Sequence, residues 1–484
     1  MNTQSKTVVK PQSRTARRPR LPVVTALVTA AVCAVSLGVS AGPAPAHGKE
    51  GGGDGAGAAL TQKQLQREVT RTLKKAGYVG ISVQVRDGQR RTYAVAGEAE
   101  LGTGRKVSHE AEFRAASVTK TFVSTVVLQL VAEGRLSLDD TVEKWLPGVV
   151  AGNGNDGSRV TLRHLLQHTS GVYNYDFTED TGSTAADFER TRFDHYDPEE
   201  AVARAMKHEP DFEPADPNDP EPEWSYSNTG YLLAGMVVEK ATGRSWEREV
   251  RDRIVRPLGL TQTYAPGDAP RLKGPYTHTY QQFPGSTGWT DTSVRNVSWI
   301  ASAGELISGE RDLDRFLTAL QRGRLLPPAQ MAELRKTVPA SEFYQQVFPG
   351  LQYGLGVMRQ PLTCGGDRWG HGGDLEGATI RTAVSEDGQR SVVINASGKK
   401  ADDESLIAAE AALQALQDRA LCGNVMRGRC RGRKPGAWML VASPLIRSIR
   451  VSHRKVGAAC RIPPPMIPPP TPPTSVRSPV TAPR

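Results

Sequence analysis

Ser117-Val118-Thr119-Lys120 sets a serine three positions before a lysine, a spacing that suits a nucleophile with its proton acceptor. A serine hydroxyl attacks a carbonyl only when a neighbouring group takes its proton. On a helix, positions i and i+3 share a face, so Lys120 stands beside Ser117 one turn along. A serine at a helix start also meets backbone N–H groups and the positive dipole end, where an oxyanion is stabilised. The bare pattern fits a capping serine with a solvated lysine just as well. It recurs at Ser397-Gly398-Lys399-Lys400, and Gly38-Val39-Ser40-Ala41-Gly42 matches the G-x-S-x-G elbow of other hydrolases.

The surrounding residues separate these matches. After Ser117, Phe122, Val123, Val126, Val127, Leu130 and Val131 cover most of a helix circumference, which predicts a buried central helix from about Ser117 to Glu133. A lysine in such a helix must be paired or have its pKa lowered. Ser397 and Lys400 instead sit in a polar connector. Ser40 falls in the first segment, which reads as removable.

Two further groups follow in order. Tyr226 and Asn228 are two apart and face the same way on extended backbone; the phenol can relay a proton, and the amide can hold a substrate carbonyl or Lys120. His371 precedes Gly372 and Gly373 on a strand-like run, where glycines let a substrate backbone approach an edge strand. The N–H of Asp374 is placed to complete an oxyanion hole with that of Ser117. His164 and His168 have the i, i+4 spacing of helical metal ligands, but no glutamate follows the first, so no metal is assigned. Trp224, Trp299 and Trp369 read as packing residues, with Trp369 close enough to His371 to reach a cleft rim.

The elements that must carry these residues are legible in outline. A helix over Thr61–Ala76 precedes two β-type runs around Asp87-Gly88, hence a hairpin. Helical fragments broken by Pro and Gly fill about 136–295. Strand-like runs then return, including those around His371, Thr379–Val384 and Arg390–Ala396, and a helix over Asp402–Arg419 closes the series. This predicts an α/β fold of α+β type: one antiparallel sheet built from both ends of the chain, flanked by helices, with a mostly helical subdomain inserted.

The 484 residues carry a net charge of +10, but the charge is uneven. Residues 1–46 and 423–484 hold six and twelve basic residues and no acidic one, leaving 43 basic against 51 acidic residues between. An acidic body argues against nucleic acid as a partner. Residues 1–46 combine a basic start, an uncharged run Val23–Val39 and Ala44-Pro45-Ala46, the pattern of a cleaved export signal, with Sec and twin-arginine routes both open. Residues 47–60 read as a Gly-rich linker, 61–422 as the folded body, and 423–484 as a disordered basic, Pro-rich tail. The expectation is a secreted monomer without a membrane span after cleavage. Export makes Cys364, Cys422, Cys430 and Cys460 possible disulfide partners, in three pairings that spacing does not distinguish.

Taken together, Ser117/Lys120, Tyr226/Asn228 and His371/Gly373 resemble the S-x-x-K, Y-x-N and K/H-x-G elements of the serine β-lactamase and D-alanyl-D-alanine peptidase superfamily. The closer likeness is to its class C and carboxypeptidase-like branch, over about residues 61–422. The resemblance implies a β-lactamase/transpeptidase-like fold and an acyl-enzyme on Ser117. Lys120 and Tyr226 would manage the proton, and Asn228, His371, Gly373 and Asp374 would bind substrate, with no cofactor. It also implies a Cys364–Cys422 disulfide, because relatives join those elements. The expected activity is a D-alanyl-D-alanine carboxypeptidase acting on peptidoglycan stem peptides. Esterase, D-aminopeptidase and β-lactamase activity on the same site remain open, as does a silent wall-peptide binder. Asp374 is a departure: relatives that bind a substrate carboxylate often carry Ser or Thr there, and a free carboxylate would repel a C-terminus. The acidic stretch before Tyr226 is longer than the usual turn and reads as a neutral insertion.

Overall fold

The computed structural model describes residues 57–424, apart from 176–177 and 217. The expected signal, most of the linker and nearly all of the tail lie outside the described residues. The described ends of those two segments belong to the fold. Leu60 is buried, Gly57 donates its N–H to the Cys422 carbonyl, and Asn424 donates to Ala58.

Helix α1 (Gln62–Ala76) begins at a capping box, in which Thr61 and Gln64 satisfy each other's backbone N–H groups. It ends where Gly77 takes the left-handed conformation. Strands β1 (Gly80–Asp87) and β2 (Arg90–Glu100) form the expected hairpin, closed at Asp87↔Arg90. A two-residue strand β3 (Arg105–Lys106) follows. A 3-10 turn, Ala116–Val118, then leads into helix α2 (Thr119–Ala132), so Ser117 stands just before the helix and not on its first turn. The middle of the chain supplies helices α3 (Leu162–Gln167), α4 (Asn228–Thr242), α5 (Ala301–Gly304) and α6 (Glu310–Gln321), among shorter pieces.

The chain then returns to the sheet through β4 (Val338–Pro339), helix α7 (Glu342–Val347), β5 (Gln352–Tyr353), β6 (Met358–Pro361), β7 (Asp367–Gly370), β8 (Gly372–Leu375), β9 (Ala378–Ser385) and β10 (Arg390–Ser397). Helix α8 (Asp403–Cys422) ends the series. The strands join in one ten-stranded antiparallel sheet ordered β4-β5-β6-β7-β9-β10-β1-β2-β3, with β8 paired to β9 only. Strand β10 lies against β1 from Gly80↔Ser397 to Asp87↔Arg390, so both ends of the chain build the centre of the sheet. One face packs on α1 and α8 through residues such as Leu65, Ile81, Ile394 and Leu413. The other packs on α2, α4 and α6 through residues such as Phe122, Leu233, Phe316 and Ile380. Cys364 and Cys422 form a disulfide with Cα atoms 5.6 Å apart, joining the β6–β7 turn to the end of α8.

Helix α2 is buried on nearly every side, with Lys120 among its wholly buried residues. Strand β8, beyond the last residue paired to β6, has a free edge that faces the Ser117 turn.

Candidate active site

Ser117 is held out by a strained turn. Ala116 before it adopts φ +49°, a left-handed conformation that a residue with a Cβ occupies at some cost. Ala115 is anchored to the Leu306 carbonyl at 2.7 Å, so the turn is fixed from the side of α5.

Three oxygens surround the Lys120 amine: Ser117 Oγ at 3.1 Å, Asn228 Oδ1 at 2.8 Å and the Ala303 carbonyl at 2.8 Å. None is a carboxylate, and burial holds the amine well below the ordinary lysine range. In its neutral form the amine has two hydrogens and one lone pair. The amide oxygens of Asn228 and Ala303 can only accept, so they take the two hydrogens. The lone pair is left for the Ser117 O–H, which is the arrangement of a general base.

Burial pushes the Tyr226 phenol well above its usual range, while its hydrogen bond with Ser117 pulls the other way. Tyr226 is therefore protonated at neutral pH and donates to Ser117 Oγ. The Lys120 amine lies 4.8 Å from the Tyr226 ring centroid. Lys120 and Tyr226, between which sequence left the base undecided, both meet the Ser117 hydroxyl.

Asn228 is the first residue of α4. Ser227 caps that helix by accepting from the Gly230 N–H, and Asn174 Oδ1 accepts the Asn228 backbone N–H. Asn228 keeps its Oδ1 on Lys120 and also lines the cleft. On β8, Gly373 touches the nucleophile turn so closely that a Cβ there would stand 3.2 Å from the Ser117 nitrogen. Asp374 follows and also lines the cleft.

The structure alters the account of Asp374. Its carboxylate pairs with Arg381 at 2.8 Å and Lys399 at 3.1 Å, and accepts from Thr379 at 3.1 Å. Burial opposes ionisation, but the two cations overcome it and hold the carboxyl below the usual range. Arg381 pairs on its other side with Glu410. The lone repelling charge expected from sequence is therefore a compensated one. Its partners come from the facing strand and from the β10–α8 connector, which no local spacing announces.

His371 sits between β7 and β8 and is buried. Its Nε2 lies 2.8 Å from the Tyr353 hydroxyl and its Nδ1 2.5 Å from the Gly372 carbonyl. Tyr353, which sequence reasoning missed, also meets His168 Nε2 at 3.1 Å. His164 Nδ1 accepts from the Thr161 N–H, so the two histidines at i, i+4 serve separate structural bonds. Trp369 is buried in the core with one edge on the cleft, while Trp224 packs with Tyr353. The cleft has a volume of about 550 Å³, and Phe343 and Ile407 flank its mouth, both more than half exposed.

A protein-family model described as Beta-lactamase matches residues 65–417. Penicillin-binding protein 4 of Amycolatopsis lactamdurans is 36% identical over 178 residues, covering 37% of this chain and 42% of that protein. Esterase EstB of Burkholderia gladioli is 32% identical over 229 residues, covering 45% of this chain and 55% of that protein. The aligned stretches thus span about half the length of these two curated relatives. Among solved structures, a D-stereospecific amidohydrolase from Streptomyces sp. is 40% identical with a TM-score of 0.64. That alignment covers 72% of this chain and 98% of that one.

Proposed function

Because the chain belongs to the beta-lactamase family, whose members are serine hydrolases, we propose that it cleaves amide bonds at the carbonyl of D-amino-acid residues through an acyl-enzyme on Ser117. The observation that carries this is Lys120, a wholly buried amine 3.1 Å from Ser117 Oγ. The likeness to a D-stereospecific amidohydrolase over nearly that protein's whole length supports the D-residue and the amide bond.

The reaction follows from the contacts. Lys120 takes the Ser117 proton as Oγ attacks the carbonyl carbon, and the oxyanion is held by the N–H groups of Ser117 and Asp374. Tyr226, already bonded to Oγ, delivers a proton to the departing nitrogen and regains one from Lys120. Asn228 holds the substrate amide, and the free edge of β8 pairs with its backbone. Water then cleaves the ester, with the same groups working in reverse.

A second activity, D-alanyl-D-alanine carboxypeptidase on peptidoglycan stems, is favoured by one observation. Asp374 is compensated by Arg381 and Lys399, and Lys399 and Lys400 both line the cleft, so a substrate carboxylate has cations to meet. D-phenylalanine amide, its L-enantiomer and a peptide ending in D-Ala-D-Ala separate the readings. Release of D-phenylalanine alone supports the amidohydrolase, and release of D-alanine from the peptide supports the carboxypeptidase. Turnover confined to esters or β-lactams refutes both. In every case mass spectrometry should find the acyl group on Ser117.

We place the mature protein outside the membrane, with residues 1–46 removed. The sequence pattern of that segment supports this, as does the disulfide. No described helix is long and apolar enough to cross a membrane. Amino-terminal sequencing of protein from a culture supernatant should begin at His47; a start at Met1 refutes the cleavage.

A further inference from the structure

His168, Tyr353 and His371 form an unbroken chain of hydrogen bonds whose two ends are fixed by backbone groups. At one end, the Ser227 N–H donates to His168 Nδ1 at 3.2 Å. That nitrogen therefore carries no proton, and the neutral ring bears its proton on Nε2, which faces the Tyr353 oxygen at 3.1 Å. At the other end, His371 Nδ1 faces the Gly372 carbonyl, which can only accept. His371 thus carries its proton on Nδ1, and its Nε2 accepts the Tyr353 O–H at 2.8 Å. Tyr353, which also meets the Tyr231 hydroxyl, accepts from one histidine and donates its single proton to the other, so each of the two ring bonds has one sense. Reversing any bond would set two donors or two acceptors against each other in a buried site.

We infer that this relay makes His371 a positioning residue, locked in one neutral tautomer, that ties the Tyr226–Asn228 segment to strand β8, and that His371 is not a cation presented to substrate. His168 and Tyr353 are wholly buried, and His371 is 2% exposed where it borders the cleft. Burial chiefly, with Lys120 nearby, lowers the pKa of both imidazoles. The bonds run across four separate stretches of chain: the end of α3, the cap of α4, strand β5 and the break between β7 and β8. His168 adopts φ +65° to make its contacts, a conformation uncommon for a residue with a side chain. Its ring packs 4.3 Å from that of Tyr226, and Tyr353 meets Tyr226 edge-on at 6.5 Å. Thr382 grips both backbone groups of His371, at 3.1 and 2.8 Å. The relay therefore forms the wall behind the proton-donating phenol and fixes the start of the strand that abuts Ser117.

Only the rate consequence rests on the proposed acyl-enzyme; the tautomers do not. Protein labelled with ¹⁵N in its histidine rings should give, at pH 6, two neutral histidines with opposite tautomers in long-range ¹H–¹⁵N spectra. His168 should be protonated on Nε2 and His371 on Nδ1, with signals assigned from His168→Asn and His371→Asn. Tyr353→Phe keeps the ring and removes the hydroxyl. It should mix the His371 tautomers and lower kcat by roughly tenfold to a hundredfold, with KM changed less than threefold. A wild-type His371 bearing a proton on Nε2, or doubly protonated, overturns the inference. So does a folded Tyr353→Phe protein with unchanged kcat. If that variant does not fold, the wild-type spectrum decides alone. If no amide is hydrolysed by the wild type, the functional proposal fails while the spectrum still tests the relay.

Discussion

Gly373→Ala tests whether the contact between strand β8 and the nucleophile turn sets the rate. An added Cβ would lie 2.4 Å from the Ala115 carbonyl oxygen, 3.0 Å from the Ala116 Cβ and 3.2 Å from the Ser117 nitrogen. The first is about 1 Å short of an ordinary carbon–oxygen contact. None of these atoms can rotate away, because all belong to the backbone or Cβ of the turn. Ala115 is anchored to Leu306, and Gly373 is paired with Ile380 in the sheet. The strand must therefore move off Ser117 by most of an ångström, carrying the Asp374 N–H out of the oxyanion position. A misplacement of that size lowers rates by about a hundredfold, or about 2.7 kcal/mol of barrier. The assay is the pre-steady-state acylation rate of Ser117, followed by mass spectrometry with a fluorescent penicillin or an activated ester. Gly288→Ala is the control: its added Cβ meets nothing within 4 Å, and its rate should match wild type. A folded Gly373→Ala protein that acylates within threefold of wild type would refute the proposed link between β8 and catalysis.

Other perturbations probe the remaining supports. Lys120→Ala removes the amine bonded to Ser117 and should slow acylation by about 10²–10⁴-fold. In the wild type, activity should fall as pH drops through the lowered lysine pKa, well below the ordinary lysine range, because protonation occupies the lone pair; an acid limb near pH 10 contradicts this. Reduction of Cys364–Cys422 opens a link between residues 58 apart, which loop entropy values at up to about 4 kcal/mol. The melting temperature should drop by several degrees, and no change on full reduction counts against a stabilising role. Glu305 is buried and its carboxyl is pushed up to about 8, first by burial and then by Glu247 and Asp268. The unfolded chain ionises it near its ordinary value, so stability should decline between about pH 4.5 and 8, by at most about 1.4 kcal/mol per pH unit. Glu305→Gln should flatten that slope in denaturant titrations, and an unaltered slope rejects the assignment.

Sequence reached the parts of this molecule that follow from local pattern. The Asp87-Gly88 hairpin is visible in its turn residues, and the burial of Lys120 follows from an apolar stripe that wraps all of α2. Tyr226 and Asn228 were legible as a pair, although Asn228 proves to open a helix behind the Ser227 cap. What sequence missed depends on contacts across the fold. Tyr353 lies in a two-residue strand with no motif, and its role appears only when β5 comes beside the end of α3 and the His371 break. The charge of Asp374 was read alone, because Arg381 reaches it from the facing strand and Lys399 from beyond β10. The 3-10 turn that displays Ser117 was likewise hidden, since nothing in Ala115-Ala116 announces a left-handed alanine.

The joined ends of the described fold have a consequence for how the chain assembles. Gly57, Ala58, Cys422 and Asn424 hydrogen-bond together at the far end of α8, whose first turn borders the cleft. A 20-residue helix spans about 30 Å, so those ends stand well away from its first turn. A short connector from 424 back to 57, with new termini opened at the exposed turn around Gly288, would give a circular permutant with the same contacts. In the native order the central pair, β1 with β10, must bring together residues from opposite ends of a long chain. In the permutant the same pairing closes a short loop, and refolding should be faster for it, because loop closure precedes the contacts that reward it.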